Sequence, residues 1–408
     1  MKILYLHQYF VFPEEAGGTR SFDLAKSFVE LGYSVDVITT SAFIKSQVFT
    51  KRWTVIQRDG FTVYVLKMDY SNKLSYAYRV WAFLQFLIYA SIKLLKLKGD
   101  LVLATSTPLT IGVPAMIKRL FHKTPFIFET RDVWPEAVEA VGAITNPLIL
   151  KALYRLEEFI YHQAEAIVAL SVDMKMSITS RYLGLCDKQV IVIENISQIE
   201  RFQQQSVETN SGIDSLIGFK PRFVVLYAGT FGRVNGLGYC LDLAAMTLKK
   251  DKSIAFLLMG SGSEKLALIE RAKKIGVYRE NVFFLESVSK SELPNMYQLA
   301  DMGSSFVINS EVLWANSANK FFDSLAAGKP ILINYKGWQS NVITGDDVGY
   351  VLPTNDKLDV LEVEKFIRYT YNSNGLSQQN TNALNCAKNR YSLDVAVKKY
   401  QDLFDTIV

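Results

Sequence analysis

The chain has 408 residues, 49% hydrophobic and 21% charged, and a formal net charge of +5. This length is long for one hydrophobic core and comfortable for two, and the apolar content argues against long disorder. The charge is too small to indicate a nucleic-acid partner. Cys186, Cys240 and Cys386 stand in no metal-binding or paired spacing, which argues against a disulfide framework and a zinc site and favours a reducing cytosol.

The first half of the chain alternates short Ile/Val-rich runs with helical patterns, as in a parallel sheet with crossover helices. The N-terminus reads as a strand, because Glu14 and Glu15 follow the apolar run without a signal-peptide cleavage site. The predicted strands are 2–6, 34–39, 62–66, 101–104, 125–129, 166–170 and 190–193, and the predicted helices include 19–31 and 74–97. The apolar stretch at 80–92 is too short to span a bilayer.

The second half repeats this architecture after a polar stretch at 195–220 that reads as a linker. Its predicted strands are 222–227, 254–259, 282–285, 302–307 and 330–334, with helices at 238–249 and 263–275. We therefore predict two doubly wound α/β domains, 1–195 and 196–392. An amphipathic helix beginning at residue 393 is expected to pack on the first domain, so that 393–408 belongs to it.

Glycine-rich turns after the first strand of each domain are candidate phosphate sites, because ligands of open parallel sheets bind at the carboxyl ends of strands. In the first domain Gly17, Gly18 and Arg20 open the first helix, although an ordinary loop and helix cap would read the same way. In the second domain the turn residues are Gly229, Thr230, Arg233 and, after the next strand, Gly260. Glycine at these turns also has a packing explanation. We also place Val288 among the donor-binding residues.

The segment ANSANKFFDSLAAGKPIL, 315–332, carries the most specific pattern. Polar residues precede a helix whose start holds Asn319 and Lys320, where backbone amides and a lysine can bind phosphate. Asp323, one turn further, is placed to accept hydrogen bonds from ribose hydroxyls. The alternative is a capped surface helix.

Five segments in order resemble the family 4 glycosyltransferases of the GT-B fold. They are LHQYFVFPEEAGGTR, FETRDVWPEAVEAVGAI, IENISQIERF, YAGTFG and NKFFDSLAAGKPI. The resemblance covers nearly the entire chain and implies two Rossmann-like domains facing each other across a cleft, with donor on the second and acceptor on the first. Within the family the motifs look most like N-acetyl-L-fucosamine transferases of O-antigen and capsule assembly.

The chain departs from the family pattern at several positions. The family's two glutamates fall at Ala315 and Asp323, and its usual Arg and Lys after the YAG turn fall at Thr230 and Asn235. The family's frequent active-site histidine falls at Arg131.

The stretch after the first domain's fifth strand supplies the catalytic candidates Arg131, Asp132 and Glu136. A carboxylate there can orient a sugar hydroxyl, and an arginine can neutralise a departing diphosphate. A surface salt-bridge network that includes Glu129 around a buried tryptophan is the alternative. His7 either lines the site or is a packed histidine.

These features predict sugar transfer from a nucleoside diphosphate, with UDP as the expected nucleotide, and no cofactor. No Asp-x-Asp pair or metal-spaced cluster occurs, so we predict no metal. The resemblance implies retention of anomeric configuration, but the residues show no carboxylate pair for a covalent intermediate, which favours front-face attack. The rival functions are a nucleotide-sugar epimerase of the same fold and a degenerate, non-catalytic binding protein.

The segment 73–123 contains eight basic residues and one acidic residue, Asp100. Together with Trp81, Phe83 and Phe86, these predict peripheral binding to the anionic inner face of the cell membrane, where a polyprenyl-diphosphate-linked glycan acceptor would lie. The alternative is a core-packed helix with solvated lysines.

Overall fold

A computed structural model describes residues 1–15, 17–68, 76–185, 189–203, 212–354 and 357–408. Its contacts divide the chain into two compact units, Met1–Glu194 with Leu393–Val408, and Asn195–Ser392. Lys73 and Cys186 lie outside the described residues, as do residues 204–211 of the predicted linker.

The first unit is an eight-stranded sheet with helices between its strands. Its strands are β1 Lys2–His7, β2 Ser34–Thr40, β3 Trp53–Arg58, β4 Phe61–Leu66, β5 Leu101–Thr105, β6 Phe126–Thr130, β7 Ala166–Ala169 and β8 Gln189–Val192. Its helices up to that point are α1 Arg20–Glu30, α2 Tyr76–Lys96, α3 Gly112–His122, α4 Glu136–Ala140, α5 Pro147–Gln163 and α6 Val172–Arg181. The strand order is β3-β4-β2-β1-β5-β6-β7-β8, and all neighbours are parallel except β3 and β4.

The second unit is a six-stranded parallel sheet. Its strands are β9 Phe223–Ala228, β10 Ile254–Met259, β11 Val282–Leu285, β12 Met302–Ser305, β13 Ile331–Ile333 and β14 Gly349–Val351. Its helices are α7 Ile199–Gln203, α8 Ile213–Ile217, α9 Leu237–Leu248, α10 Lys265–Lys274, α11 Leu293–Gln298, α12 Glu311–Trp314, α13 Asn319–Ala326, α14 Trp338–Gly345, α15 Val360–Thr370 and α16 Ser373–Arg390. The strands lie in the order β11-β10-β9-β12-β13-β14, so the chain adds strands on one side of β9 up to β11 and then on its other side from β12 onward. Ligands of doubly wound sheets bind at this change of side, here between β9 and β12.

The last helix, α17 Leu393–Ile407, returns to the first unit. The ring of Phe28 in α1 lies 5.6 Å from that of Tyr400 and 5.2 Å from that of Phe404, measured between centroids. Burial of these three aromatic rings attaches the end of the chain to the first helix.

The doubly wound α/β prediction is confirmed, but two strands were not predicted. β3 is half exposed and pairs antiparallel at the edge of its sheet, and β14 is three residues long, so neither carries a strong apolar signal. The described part of the predicted linker also contains two short helices, α7 and α8.

Candidate functional site

The glycine turns that follow β9 and β10 are in direct contact with each other. The Gly229 amide donates to the Met259 carbonyl at 2.9 Å, and Gly260 has a φ of +149°. A Cβ on Gly260 would lie 1.8 Å from the Gly229 carbonyl oxygen, so that position accepts only glycine. The two turns therefore pack backbone against backbone at this sheet edge.

Lys320, in the first turn of α13, reaches this glycine turn. Its Nζ donates to Asn235 Oδ1 at 3.2 Å and lies 5.0 Å from the centre of the Tyr227 ring. A Cβ on Gly229 would come within 2.5 Å of the Lys320 Cε. Within the described part of the chain, no carboxylate forms an ion pair with Lys320. Burial lowers its pKa to about 8, against a smaller upward effect from Asp323.

Asp323, one turn further along α13, is held by a lysine that the sequence did not indicate. Lys290 Nζ donates to both carboxylate oxygens, at 2.7 and 2.6 Å. The two side chains are 9% and 12% exposed for Asp323 and Lys290. Lys290 follows β11 and so lies at the same sheet edge as the glycine turns. That position is the one sequence feature that could have identified Lys290 as a site residue.

The other predicted donor-binding residues of this unit lie in the same loops. Thr230 is exposed, and its carbonyl accepts from the Tyr227 hydroxyl at 2.7 Å. Arg233 is exposed in the short turn that also carries Asn235. Asn319 is exposed at the start of α13, and Val288 is half buried in the loop that carries Lys290.

In the first unit the structure puts Gly17, Gly18 and Arg20 in different environments. Gly17 is exposed with a φ of +143°, and Gly18 is half buried. Arg20 is only 4% exposed, and its guanidinium donates to the Glu129 carboxylate, the carbonyls of Ile193 and Glu194, and the Tyr400 hydroxyl. That environment joins α1 to β6 and α17, and the prediction that Arg20 faces the donor is therefore not met, because its guanidinium is enclosed by these partners.

Glu129 is the buried anion of this group. Its carboxylate lies 3.1 Å from Arg20 and also accepts from the Tyr400 hydroxyl. Burial opposes its ionisation, but Arg20, Arg131 and Tyr400 together hold its pKa below the usual value. The alternative interpretation, in which Glu129 belongs to a surface salt-bridge network, is wrong for this residue, because Glu129 forms an internal ion pair with Arg20.

Arg131 and Asp132 follow β6 and meet residues from the ends of two neighbouring strands. Arg131 Nη1 lies 3.4 Å from His7 Nε2, and its amide donates to Ser106 Oγ at 2.9 Å. Thr107 donates to the Asp132 carboxylate at 2.9 Å. His7 is buried, and burial and Arg131 lower its pKa well below the usual value, so the imidazole is neutral at pH 7.

Glu136 contacts α6 and does not join Arg131 and Asp132. Ser177 of α6 donates to its carboxylate at 2.6 Å, and Arg181 lies 3.8 Å away. Arg181 in turn pairs with buried Glu157 at 2.6 Å. The structure thus brings Arg131 and Asp132 to one edge beside His7 but ties Glu136 to α6.

Some side chains of the basic segment 73–123 are buried or contact other residues. Phe86 and Lys118 are each 2% exposed, and Lys118 Nζ donates to the Leu97 carbonyl at 2.7 Å. Lys93 Nζ lies 4.6 Å from the Trp53 ring centre. The prediction that Phe86 reaches a membrane is therefore wrong, since Phe86 is a core residue, and Lys118 belongs to the interior as well.

Exposed apolar side chains nevertheless form a stripe on α2, continued at the end of α3. Trp81 is 55% exposed, and the others are Tyr78, Leu84, Ile88, Ile92, Leu120 and Phe121. Lys96, Lys98 and Lys123 are exposed nearby in the chain.

None of the described helices is long and apolar enough to cross a membrane. Nor do the described residues include a cluster of three or more His, Cys, Asp or Glu that could hold a metal.

Two family models match consecutive parts of the chain. The glycosyl transferase 4-like domain matches residues 16–195, and the glycosyl transferases group 1 domain matches residues 215–375. With the two parallel sheets, these matches define the class: the chain belongs to the glycosyltransferases of the GT-B fold.

Individual relatives are distant. The chain is 25% identical over 264 residues to the probable glycosyltransferase WbjE of Pseudomonas aeruginosa, covering 64% of each chain. It spans 50% to 64% of the length of the curated relatives it matches. Sucrose-phosphate synthase of Thermosynechococcus elongatus has a TM-score of 0.74 at 12% identity, covering 100% of this chain and 98% of that one. HepE of Anabaena, solved with UDP and glucose, has a TM-score of 0.71 at 14% identity over the full length of both. At these identities the solved structures show the fold alone.

Proposed function

We propose that the protein transfers a sugar from a UDP-sugar to a polyprenyl-diphosphate-linked glycan, with retention of configuration, in bacterial surface polysaccharide assembly. The observation that carries the proposal is Lys320, a half-buried lysine without a carboxylate partner among the described residues, packed against the glycine turn that follows β9. A lysine in this position binds a diphosphate as a point charge. UDP is the chosen nucleotide because HepE, a protein of the same fold, was solved with it.

In this proposal the second unit binds the donor. The amides at the start of α13 and Lys320 hold the diphosphate, and Asp323 accepts from the ribose hydroxyls. Arg233, exposed in the adjoining loop, supplies a further cation. These groups stabilise the leaving diphosphate without a metal, as the sequence predicts.

The edge of the first unit that carries Arg131 and Asp132 then shapes the acceptor side. His7 contacts the Arg131 guanidinium and, being neutral, does not repel it. Thr107 orients the Asp132 carboxylate by donating a hydrogen bond to it. Arg131 can stabilise negative charge as the diphosphate departs, and Asp132 can orient a sugar hydroxyl. N-acetyl-L-fucosamine is the sugar that the sequence motifs favour.

The central test is incubation of the purified protein with radiolabelled UDP-sugars, including UDP-N-acetyl-L-fucosamine, and a bacterial lipid extract. We expect label in the lipid fraction and release of UDP. Conversion of the UDP-sugar without acceptor would identify an epimerase, and UDP binding without product would identify a non-catalytic binding protein. Activity should persist in excess EDTA, and loss that Mn²⁺ or Mg²⁺ restores would contradict the metal-free proposal.

We further propose that the apolar stripe on α2 and α3, with Lys96, Lys98 and Lys123, binds the anionic inner membrane surface. Large apolar side chains insert at the headgroup boundary, and each nearby lysine adds about 1 kcal/mol at most. Sedimentation with phosphatidylglycerol vesicles tests this with two variants. One changes Trp81, Ile88, Leu120 and Phe121 to Ser, and the other changes the three lysines to Ser. Both should bind less than the wild type, and equal binding by all three proteins would refute the proposal.

A further inference from the structure

Lys290 is a mostly buried charge, with its side chain 12% exposed, that the proposed donor site does not by itself require. It lies in the loop between β11 and α11 and crosses to α13, which packs on β12. β11 and β12 are separated by β10 and β9 in the sheet. A surface lysine would gain little from such a pair, whereas this one is nearly enclosed with its partner.

The loop that carries Lys290 has hydrogen bonds of its own. The Ser289 amide and hydroxyl donate to the Glu292 carboxylate at 3.0 and 2.8 Å. The following helix approaches α13 as well, since the Tyr297 hydroxyl donates to the Lys320 carbonyl at 3.5 Å. Lys290 therefore lies between a hydrogen-bonded turn and a helix that contacts α13.

Lys290 fixes the orientation of the Asp323 carboxylate without exhausting it. Its ammonium donates to both oxygens at 2.7 and 2.6 Å. Each carboxylate oxygen has two acceptor sites, so both can still accept a hydroxyl proton. A carboxylate whose plane is set before the ligand arrives loses less conformational freedom on binding.

We propose that Lys290 is a positioning residue that holds Asp323 ready for the ribose hydroxyls of the nucleoside diphosphate. This inference rests on the proposed function. Lys290 acts through Asp323 and does not contact the phosphates. The ligand it serves must therefore carry a ribose with free 2′ and 3′ hydroxyls.

The experiment is titration calorimetry at pH 7 with UDP and with 2′,3′-dideoxy-UDP. Lys290→Met should weaken UDP about tenfold, as expected when a charged hydrogen-bonding group loses its alignment. It should change dideoxy-UDP by no more than about twofold and have no further effect in an Asp323→Ala background. Lys265→Met is the matched control, because Lys265 pairs with Glu286 of the same loop at 2.7 Å and should leave both affinities unchanged.

Equal weakening of both nucleotides would show that Lys290 contacts the phosphates, and unchanged UDP affinity would show a purely structural pair; either overturns the inference. Wild-type protein that binds no UDP would refute the proposed function itself. If Lys290→Met does not fold, Lys290→Gln and Lys290→Arg carry the test. Gln should show the hydroxyl-dependent loss, and Arg, which can donate to both oxygens, should bind UDP nearly as the wild type does.

Discussion

The carboxyl edges of the two sheets differ in how their buried charges are paired. In the first unit Arg20, Glu129 and Tyr400 bond to one another in the interior, so little of their charge is available to a ligand. In the second unit Lys320 packs against the Gly229 turn, with only the Asn235 amide oxygen as polar side-chain partner among the described residues. The same architecture thus gives one edge organised by an internal ion pair and another with a cation available to bind an anion.

The internal pair of the first unit can be broken directly. Glu129→Gln removes the charge that compensates buried Arg20, and breaking such a pair lowers the free energy of unfolding by about 3–5 kcal/mol. Urea denaturation measures this. Glu14→Gln, which breaks an exposed pair with Arg58, is the control and should lower it by about 1 kcal/mol or less. Similar values for both variants would mean that the buried network does not stabilise the unit.

The pH dependence of this loss has a definite sign. The pKa of Glu129 in the folded protein lies below its ordinary value of 4.5. Its contribution to stability is therefore fully present above that value and is lost as pH falls through the folded pKa. The difference between wild type and Glu129→Gln should shrink only in this acidic range.

Arg131→Ala tests whether the first edge serves chemistry rather than nucleotide binding. The kcat should fall on the order of a hundredfold, because the charge that develops on the departing diphosphate in the transition state loses a fixed cation. The affinity for the intact UDP-sugar by calorimetry should change little, because that charge has not yet developed before transfer. Arg119→Ala, which removes a surface pair with Glu165 in the same unit, should leave kcat unchanged. A parallel loss of UDP-sugar affinity in Arg131→Ala would assign Arg131 to donor binding instead.

Lys320→Met tests the corresponding charge of the second edge. A hydrogen bond to a charged group contributes about 1.5–3 kcal/mol, so UDP affinity should fall roughly tenfold to a hundredfold. Lys274→Met, at the exposed end of α10, provides the control and should bind normally. Unchanged affinity in a folded Lys320→Met protein would move the nucleotide site elsewhere.

The pH dependence of UDP binding gives the smallest effect. The pKa of Lys320 is lowered to about 8, so the ammonium that binds the diphosphate is present below pH 8 and lost above it. Affinity should therefore fall about tenfold from pH 7 to pH 9. Lys320→Arg stays charged over this range and should show a flat profile. A flat profile in the wild type would show that Lys320 does not bind the diphosphate.

The repeating apolar runs were sufficient to predict two doubly wound domains and most strands, because buried parallel strands leave a continuous hydrophobic signal. The edge strands β3 and β14 lacked that signal because they are half exposed or very short. At the site, the glycine turns and Lys320 were recognisable because strand ends and helix starts are local features of the chain.

The partners of the charged residues were decided only by the tertiary structure. Arg20 and Asp323 each looked available for a ligand in the sequence, yet Arg20 pairs with Glu129, 109 residues away, and Asp323 with Lys290, 33 residues away. Sequence patterns report which face of an element is apolar. They do not report which distant charge meets another, because that depends on how separate strands and helices are brought to one sheet edge, where burial makes pairing necessary.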